Sequence, residues 1–357
     1  MKVLLPFHDD STLLFAAKLM RFMSAYPIEL VPVEVFERPE LGTQLSDRQI
    51  NMLIEVGASH QQLLPERLTD PTYLETFDAV IVAKAPTPLR HLLTDPAYRA
   101  RKNRPKFLAF LTGIEFTPKR GADNRKHFDT VFVNRTSDVS AFENVRGRES
   151  TQHVAVGHPY FLRPAHFRTG EIRSIYFFVQ AISPKTFNGR LHMLRLLVEL
   201  AKRHPDKSVA IKLRHRPNEN LIHVHPEEYS YQWLADNIIG ELPENLVFSD
   251  VSMDEALADA DCCLTCTSTA AMDFISAGLP TMVYLDYVEC YADPLNTPMA
   301  DLFADSNVVS SLEDVLSLNV RKPSPLWIDD NFCSAQELED EICRAIGLTG
   351  HARTTGT

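Results

Sequence analysis

The chain has no apolar run approaching the ~20 residues a helix needs to cross a bilayer. Its start, MKVLLPFHDD, is too short in apolar residues and turns acidic too soon for a secretory leader. Both absences point to a cytoplasmic protein, at most peripheral to the inner face of a membrane, with no integral membrane segment. Excess positive charge is also missing: 36 Lys and Arg against 47 Asp and Glu leave a formal net charge of -11. Binding to a phosphate backbone needs a basic surface, so nucleic acid is not an expected partner. The six cysteines are Cys262, Cys263, Cys266, Cys290, Cys333 and Cys343. Cys263 and Cys266 form a C-x-x-C, but no second pair at zinc spacing accompanies them. They read as small buried apolar residues rather than as a metal or redox site. His223 and His225 likewise have no evident third ligand, so no metal is expected. No internal repeat is visible.

What the chain does have is the composition of a globular protein, 45% hydrophobic and 23% charged, and 357 residues, enough for two domains. Short apolar runs alternate with helical patterns. In the first half the runs are Lys2–Phe7, Ile28–Val35, Ala79–Val82, Phe107–Leu111, Thr130–Val133 and Val154–Val156. Between them, Thr12–Ala25 and Ser46–Val56 have helical spacing, the latter with Ser46 and Gln49 at capping-box distance. Arg163–Arg173 is polar, aperiodic and broken by Pro and Gly, as a linker is. The alternation then restarts: strands at Ser174–Val179, Ser208–Leu213 and Leu246–Phe248, helices at Leu191–His204, Tyr231–Ile239, Met253–Ala260 and Leu312–Leu316. Ser334–Ile346 reads as a final amphipathic helix capped by Ser334 and Glu337. Short strands separated by helices give parallel sheets covered on both faces. The expected fold is α/β: two doubly wound, Rossmann-like parallel-sheet domains, 1–165 and 172–325, facing a cleft, then a C-terminal helix over 326–348 and a disordered tail over 349–357.

The richest segment is Asp261–Asp286, DCCLTCTSTAAMDFISAGLPTMVYLD. It reads as a buried strand, a turn of small residues, a helix over Thr269–Ala277, a Gly278–Pro280 stop and a second strand at Thr281–Leu285. Ser268 or Thr267 is the expected N-cap. Three successive hydroxyl residues, Thr267, Ser268 and Thr269, exceed what a cap requires. A helix start beyond a strand end is also an anion site, suggesting a bound phosphate and hence a nucleotide.

Ligands of such sheets sit beyond the carboxyl ends of strands, so the other loops after strands carry the remaining candidates. His8-Asp9-Asp10-Ser11 follows the first strand. Asp9 or Asp10 is a candidate base or sugar-hydroxyl ligand, against the plainer reading that Ser11 or Asp10 caps the next helix. Thr112-Gly113-Ile114-Glu115-Phe116 offers Glu115 as a proton acceptor, with Gly113 permitting an unusual turn. Gly157-His158-Pro159 puts His158 either at the ligand or at a hinge. His8, Gly113 and His158 are the acceptor-side candidates. In the second half Gln180, Ser183 and Lys185 follow one strand. Lys212, Arg214 and His215, in KLRHRPNE, follow another and form a local basic cluster suited to a phosphate leaving group.

Two parallel α/β domains, a strand end bearing His215 and Pro217, and Ser268-Thr269 opening a helix that ends Ala277-Gly278-Leu279-Pro280 together resemble the GT-B glycosyltransferases. The closer resemblance is to bacterial enzymes that use CMP-activated acidic sugars, sialyltransferases and polysialyltransferases among them. In that group a His-Pro motif and a Ser/Thr pair hold the nucleotide phosphate and ribose. Here they map to His215 with Pro217, with Arg216 intervening, and to Ser268 and Thr269. Asp273 stands where many such enzymes carry a ribose-binding glutamate. The adjacent pairs His158-Pro159 and His225-Pro226 compete for the first role. The resemblance implies a nucleotide sugar as co-substrate, no resident cofactor or metal, and a glycan or lipid-linked acceptor in surface polysaccharide synthesis. It also implies inverting transfer, in which Glu115, Asp9 or Asp10 deprotonates the acceptor and His215 meets the departing phosphate. A UDP-sugar transferase or epimerase of the same fold, and a non-catalytic glycan- or partner-binding scaffold, are the competing readings.

Overall fold

The computed structural model describes residues 1–36, 43, 45–111, 113–145, 147–149, 151–181, 183–214 and 227–348. The expected disordered tail over 349–357 lies outside these residues, as do Thr112, His215, Pro217, His223 and His225. The chain forms two compact units: Met1–Leu162 together with the residues from Asp330 on, and Arg163–Asp329. Among the described residues no helix is long and apolar enough to cross a membrane.

The first unit is built on seven strands: β1 Lys2–Phe7, β2 Glu29–Val35, β3 Gln62–Leu63, β4 Ala79–Val82, β5 Lys106–Phe110, β6 Thr130–Val133 and β7 His153–Val156. Their order is β3-β2-β1-β4-β5-β6-β7, with every neighbouring pair parallel. All residues of β4 and β6 are buried, as expected of strands covered on both faces. One face packs Leu5, Phe7, Phe110 and Phe132 against Leu13, Phe15 and Leu19 of the helix Asp10–Phe22. The helix Ala335–Ile346 adds Leu338, Ile342 and Ile346 to that same core. The other face packs Leu4, Val80, Val82, Phe107 and Val131 against Leu89, Leu93 and Phe128.

The second unit has five strands: β8 Ser174–Phe178, β9 Ser208–Lys212, β10 Leu246–Ser249, β11 Cys262–Thr265 and β12 Thr281–Val283. Their order is β10-β9-β8-β11-β12, again all parallel. The helix Phe187–Arg203 lays Met193, Leu194, Leu197 and Leu200 onto Ile175, Phe177, Val209 and Ile211. Arg163–Arg173, read from sequence as a linker, is held to this unit. Arg168 N–H donates to Gly278 O at 2.7 Å, and its guanidinium donates to Ala260 O at 3.1 Å. Gly278 is required on two grounds: its φ is +70°, and a Cβ there would lie 2.3 Å from His166 O.

The capping boxes at Ser46/Gln49 and Ser334/Glu337 are both formed. Elsewhere the local structure departs from the sequence reading. The region 326–348 carries two helices, Pro325–Asn331 and Ala335–Ile346, because Ser334 starts a new cap. Tyr231–Leu234 is α-helical, but Ala235–Ile239 winds as a wider π-turn ending at Gly240 with φ +81°. The helices Thr87–Thr94 and Pro118–Asp123 have no counterpart in the sequence reading. Each begins at a proline-bearing turn that looks like loop when read alone.

His158 is a correction with consequences for stability. Its side chain is fully buried among Phe15, Phe110, Tyr160 and Phe161, so it is a core residue rather than an acceptor contact. Nδ1 accepts from Tyr160 N–H at 3.2 Å, so Nε2 carries the proton it donates to Leu111 O at 2.8 Å. Burial lowers its pKa from 6.5 to about 4, despite the favourable bond to Leu111. The unfolded ring protonates near 6.5 and the folded ring only near 4. The first unit therefore keeps its full stability above 6.5, loses it progressively down to about 4, and loses no more from this group below that. The loss amounts to about 3 kcal/mol at 1.36 kcal/mol per unit. Amide exchange in β5 and β7, corrected for intrinsic rates, should show this fall in protection, and His158→Gln should flatten it. An unchanged slope in that variant would remove His158 as the cause.

Candidate functional site

Where adjacent parallel strands send their connections in opposite directions, a crevice opens at their carboxyl ends. In the second unit that point lies between β8 and β11, and the two outgoing loops are tied together there. Gln180 Nε2 donates to Ser268 Oγ at 2.7 Å. The Thr267 hydroxyl donates to Ser183 Oγ, which donates to Asp293 Oδ2 at 2.9 Å. Asp293 also accepts from Lys185 N–H at 2.7 Å and from the Tyr287 hydroxyl. Asp293 is buried, so these donors replace the water its carboxylate gives up. Arg190, 1% exposed, fixes the same loop from below. Its guanidinium donates to the carbonyls of Gln180, Ala181 and Pro184 and pairs with Glu227.

The structure thus brings Gln180, Ser183, Thr267 and Ser268 together. Lys212 is the last residue of β9, in register with Phe178 of β8, and its carbonyl accepts from Val179 N–H at 3.1 Å. Its own Nζ donates to Leu213 O at 2.8 Å, and Arg214 follows half-buried. The expected cap needs revision. The helix runs Ala270–Ser276 with Thr269 at its N-cap and no side-chain bond from that residue. Ser268 Oγ instead accepts from Ala270 N–H at 3.1 Å. Thr267 and Ser268 are buried, whereas Thr269 and Asp273, in the first turn, are half-buried. Thr267 therefore supports the loop frame, and Thr269 is the least buried of the three. The thiols beneath are inert: burial raises Cys262 to about 12 and Cys263 well above its ordinary range.

The first unit has its own switch point, between β1 and β4. A cavity of about 470 Å³ lies there, lined by His8, Val35, Glu66, Thr69, Thr87, His91 and three prolines. Asp9 is the N-cap of the helix Asp10–Phe22, in place of the expected Ser11 or Asp10. Its Oδ1 accepts from Thr12 N–H at 2.9 Å and Thr12 Oγ1 at 2.7 Å, while Oδ2 lies 3.3 Å from Lys84 Nζ and 3.4 Å from His8 Nε2. Burial pushes this carboxyl up, but His8, the Thr12 bonds and Lys84 outweigh it and the net pKa is lowered. A carboxylate so stabilised orients its neighbours better than it takes a proton. Asp10, one residue on, accepts from Ser11 N–H at 2.9 Å.

Glu115 is engaged locally. Its Oε1 accepts from Thr117 N–H at 2.9 Å, and its side chain lies over Gly121, where a Cβ would come 2.7 Å from Oε2. Gly113 does not adopt a positive φ, and nothing lies within 4 Å of a Cβ built on it. The turn is held instead by Asn134 Nδ2 donating to Gly113 O at 2.6 Å. Arg125 ties the neighbouring strand ends, donating to Phe110 O, Gly121 O and Ala83 O at 3.1, 3.0 and 3.0 Å. Burial lowers its pKa to about 10, which leaves it charged.

Sequence reasoning missed Asp293, Arg190, Arg125 and the cavity residues Glu66 and His91. Arg190 had a signal: it shares a helical stripe with Leu194, Leu197 and Ala201, where a charge must find internal partners. Asp293 had none, because its partners Ser183 and Lys185 are more than a hundred residues away in sequence.

With this geometry established, the chain was compared with known proteins. The family whose model matches residues 8–346 is described as "Putative glycosyltransferase (DUF6716)". No curated protein matches the chain. Among solved structures, one described as a "putative UDP-N-acetylglucosamine 2-epimerase" from Listeria monocytogenes matches with a TM-score of 0.63 at 11% identity, covering 100% of this chain and 99% of that one. The UDP-GlcNAc 2-epimerase of Methanocaldococcus jannaschii gives 0.61 at 10% identity, covering 98% and 100%. MnaA of S. aureus, solved with UDP, gives 0.60 at 10% identity, covering 99% and 100%. At such identity the likeness shows the fold, which is of the GT-B type.

Replacing Asp293 by Ala would remove the acceptor shared by the Ser183 and Tyr287 hydroxyls and the Lys185 N–H, leaving the two buried hydroxyls to bond each other. The expected loss is about 2–4 kcal/mol of second-unit stability. Trp233 and Trp327 both lie in that unit, so denaturation followed by tryptophan fluorescence reads it directly. A change below about 0.5 kcal/mol, the scale of an ordinary surface substitution, would show that Asp293 does not hold the loop.

Proposed function

Because the chain belongs to this glycosyltransferase family, we propose that it transfers a sugar from a nucleotide-sugar donor to a hydroxyl of a glycan or lipid-linked acceptor. We place the nucleotide at the carboxyl ends of β8 and β11. The observation that carries this reading is the Gln180–Ser268 bond beside the Thr267–Ser183–Asp293 chain, which sets polar groups in fixed positions at a strand switch point. As the sugar leaves, negative charge grows on the nucleotide phosphate. Gln180, Ser268 and the Thr269 hydroxyl are placed to meet it, with Lys212 and Arg214 supplying positive charge from the end of β9 and Asp273 reaching the ribose. Asp10 and Glu115 are the carboxylates proposed to take the acceptor proton. Asp9, held charged, orients His8 and Lys84.

The donor we propose is a UDP-sugar. The structures named above are described as UDP-GlcNAc 2-epimerases, one of them putative, or as a UDP complex, and this favours UDP over CMP. The CMP-linked acidic-sugar reading rests on the His215–Pro217 motif, which lies outside the described residues, and on the Ser268-Thr269 pair. Epimerisation of a UDP-sugar is the second reading, favoured by the same neighbours; the family description favours transfer.

UDP should raise the melting temperature of the full chain, with CMP and GDP doing less. Gln180→Ala and Ser268→Ala should each weaken UDP about tenfold, the equivalent of ~1.4 kcal/mol for one lost hydrogen bond. Stabilisation by CMP alone would move the donor to an acidic sugar, and indifference to every nucleotide would end the donor-site reading. Incubation with a UDP-sugar and no acceptor separates the two activities, since only an epimerase converts the donor sugar under those conditions.

A further inference from the structure

Among the described residues the most exposed large apolar side chain is Tyr291, at 84%. It stands on a short 3-10 turn, Cys290–Ala292, beyond the carboxyl end of β12, the strand that adjoins β11. A single exposed apolar residue needs no explanation in itself. This one is carried by a backbone that is both strained and tied down. Glu289 has φ +60°, in the left-handed region that a residue other than glycine keeps only where its surroundings impose it. Its Oε1 accepts from Asn188 Nδ2 at 3.0 Å. Val288 O lies so near the first turn of the helix Phe187–Arg203 that a Cβ on Gly189 would come 3.0 Å from it. Asp293, just after the turn, accepts from Ser183 Oγ, Lys185 N–H and the Tyr287 hydroxyl. The aromatic ring is therefore displayed on a fixed support, while its own exposure adds little to folding.

The place of the turn decides which part of a donor could meet the ring. The helix Phe187–Arg203 packs on the sheet face that carries Ile175, Phe177 and Ile211. The helix Ala270–Ser276, whose Asp273 is proposed above to reach the ribose, packs on the opposite face, with Phe274 against Tyr176 and Phe178. The polar frame of Gln180, Ser183, Thr267 and Ser268 lies at the strand ends, between the two faces. With the phosphate at that frame and the ribose toward Ala270–Ser276, the other end of the donor extends toward the face of Phe187–Arg203, where the Tyr291 turn is held. That end is the sugar. A pyranose ring presents a C–H face that packs on an aromatic ring while its hydroxyls stay in water, and tyrosine matches this with an apolar body and a polar tip. Its few rotatable bonds also make the contact at low entropic cost.

We propose that Tyr291 is the stacking surface for the hexose ring of the donor, and so distinguishes a UDP-sugar from UDP. The proposal deepens the donor reading and rests on it. The test is calorimetric titration of the full chain, without acceptor, using UDP, UDP-glucose, UDP-galactose and UDP-GlcNAc. The unsubstituted chain is compared with Tyr291→Ala and Tyr291→Phe. The ring is 84% exposed and outside the core, so both variants should fold. In Tyr291→Ala at least one UDP-sugar should bind about tenfold more weakly, while UDP changes by less than about twofold. Tyr291→Phe keeps the ring and should match the unsubstituted chain. Equal weakening of UDP and the UDP-sugars, or Tyr291→Phe losing as much as Tyr291→Ala, would overturn the proposal. UDP binding with no UDP-sugar weakened in Tyr291→Ala sinks the stacking role and leaves the donor reading standing. An unsubstituted chain that binds none of the four ligands sinks the donor reading, and this proposal with it.

Discussion

Burying a charge is costly unless every one of its bonding positions is met, and three such charges organise the strand-end loops of this protein. Arg190 has one conformation that reaches three carbonyls and Glu227, so the loop after β8 has little choice of path. Asp293 draws Ser183, Lys185 and Tyr287 toward one carboxylate and so joins that loop to the segment after β12. Arg125 does the same in the first unit, closing the ends of β4 and β5 against the helix Pro118–Asp123. Polar loops that would otherwise sample many conformations are thereby held still, which is what a binding site needs from its scaffold.

The two switch points differ in chemistry. That of the second unit is crowded with hydroxyls and an amide already bonded to one another, with lysine and arginine at the end of the adjoining strand. That of the first unit is an open cavity whose lining, among the described residues, has three prolines, two threonines, two histidines and one carboxylate. The switch point of the second unit suits a group that develops negative charge.

Much of the sheet architecture was legible because parallel strands buried on both faces are written as short unbroken apolar runs. Lys2–Phe7, Ala79–Val82 and Thr130–Val133 have the predicted bounds. Capping boxes were legible for a similar reason: Ser46 with Gln49 and Ser334 with Glu337 satisfy each other within one helical turn. The site was only partly legible. Thr267, Ser268 and Thr269 stood out as a cluster, yet the division of labour among them depends on Ser183 and Gln180, more than eighty residues away in sequence. His158 looked available in its loop, but it is enclosed by aromatic rings brought in from the helix Asp10–Phe22 and from β5.

The sequence by itself therefore determined what depends on near neighbours: strand positions, the capping boxes at Ser46 and Ser334, and the glycine stop at Gly278. Only the tertiary structure decided which polar residues are spent on the scaffold and which face a ligand. That choice is made by hydrogen bonds between residues remote along the chain, and a linear pattern carries no record of which distant donor meets which acceptor.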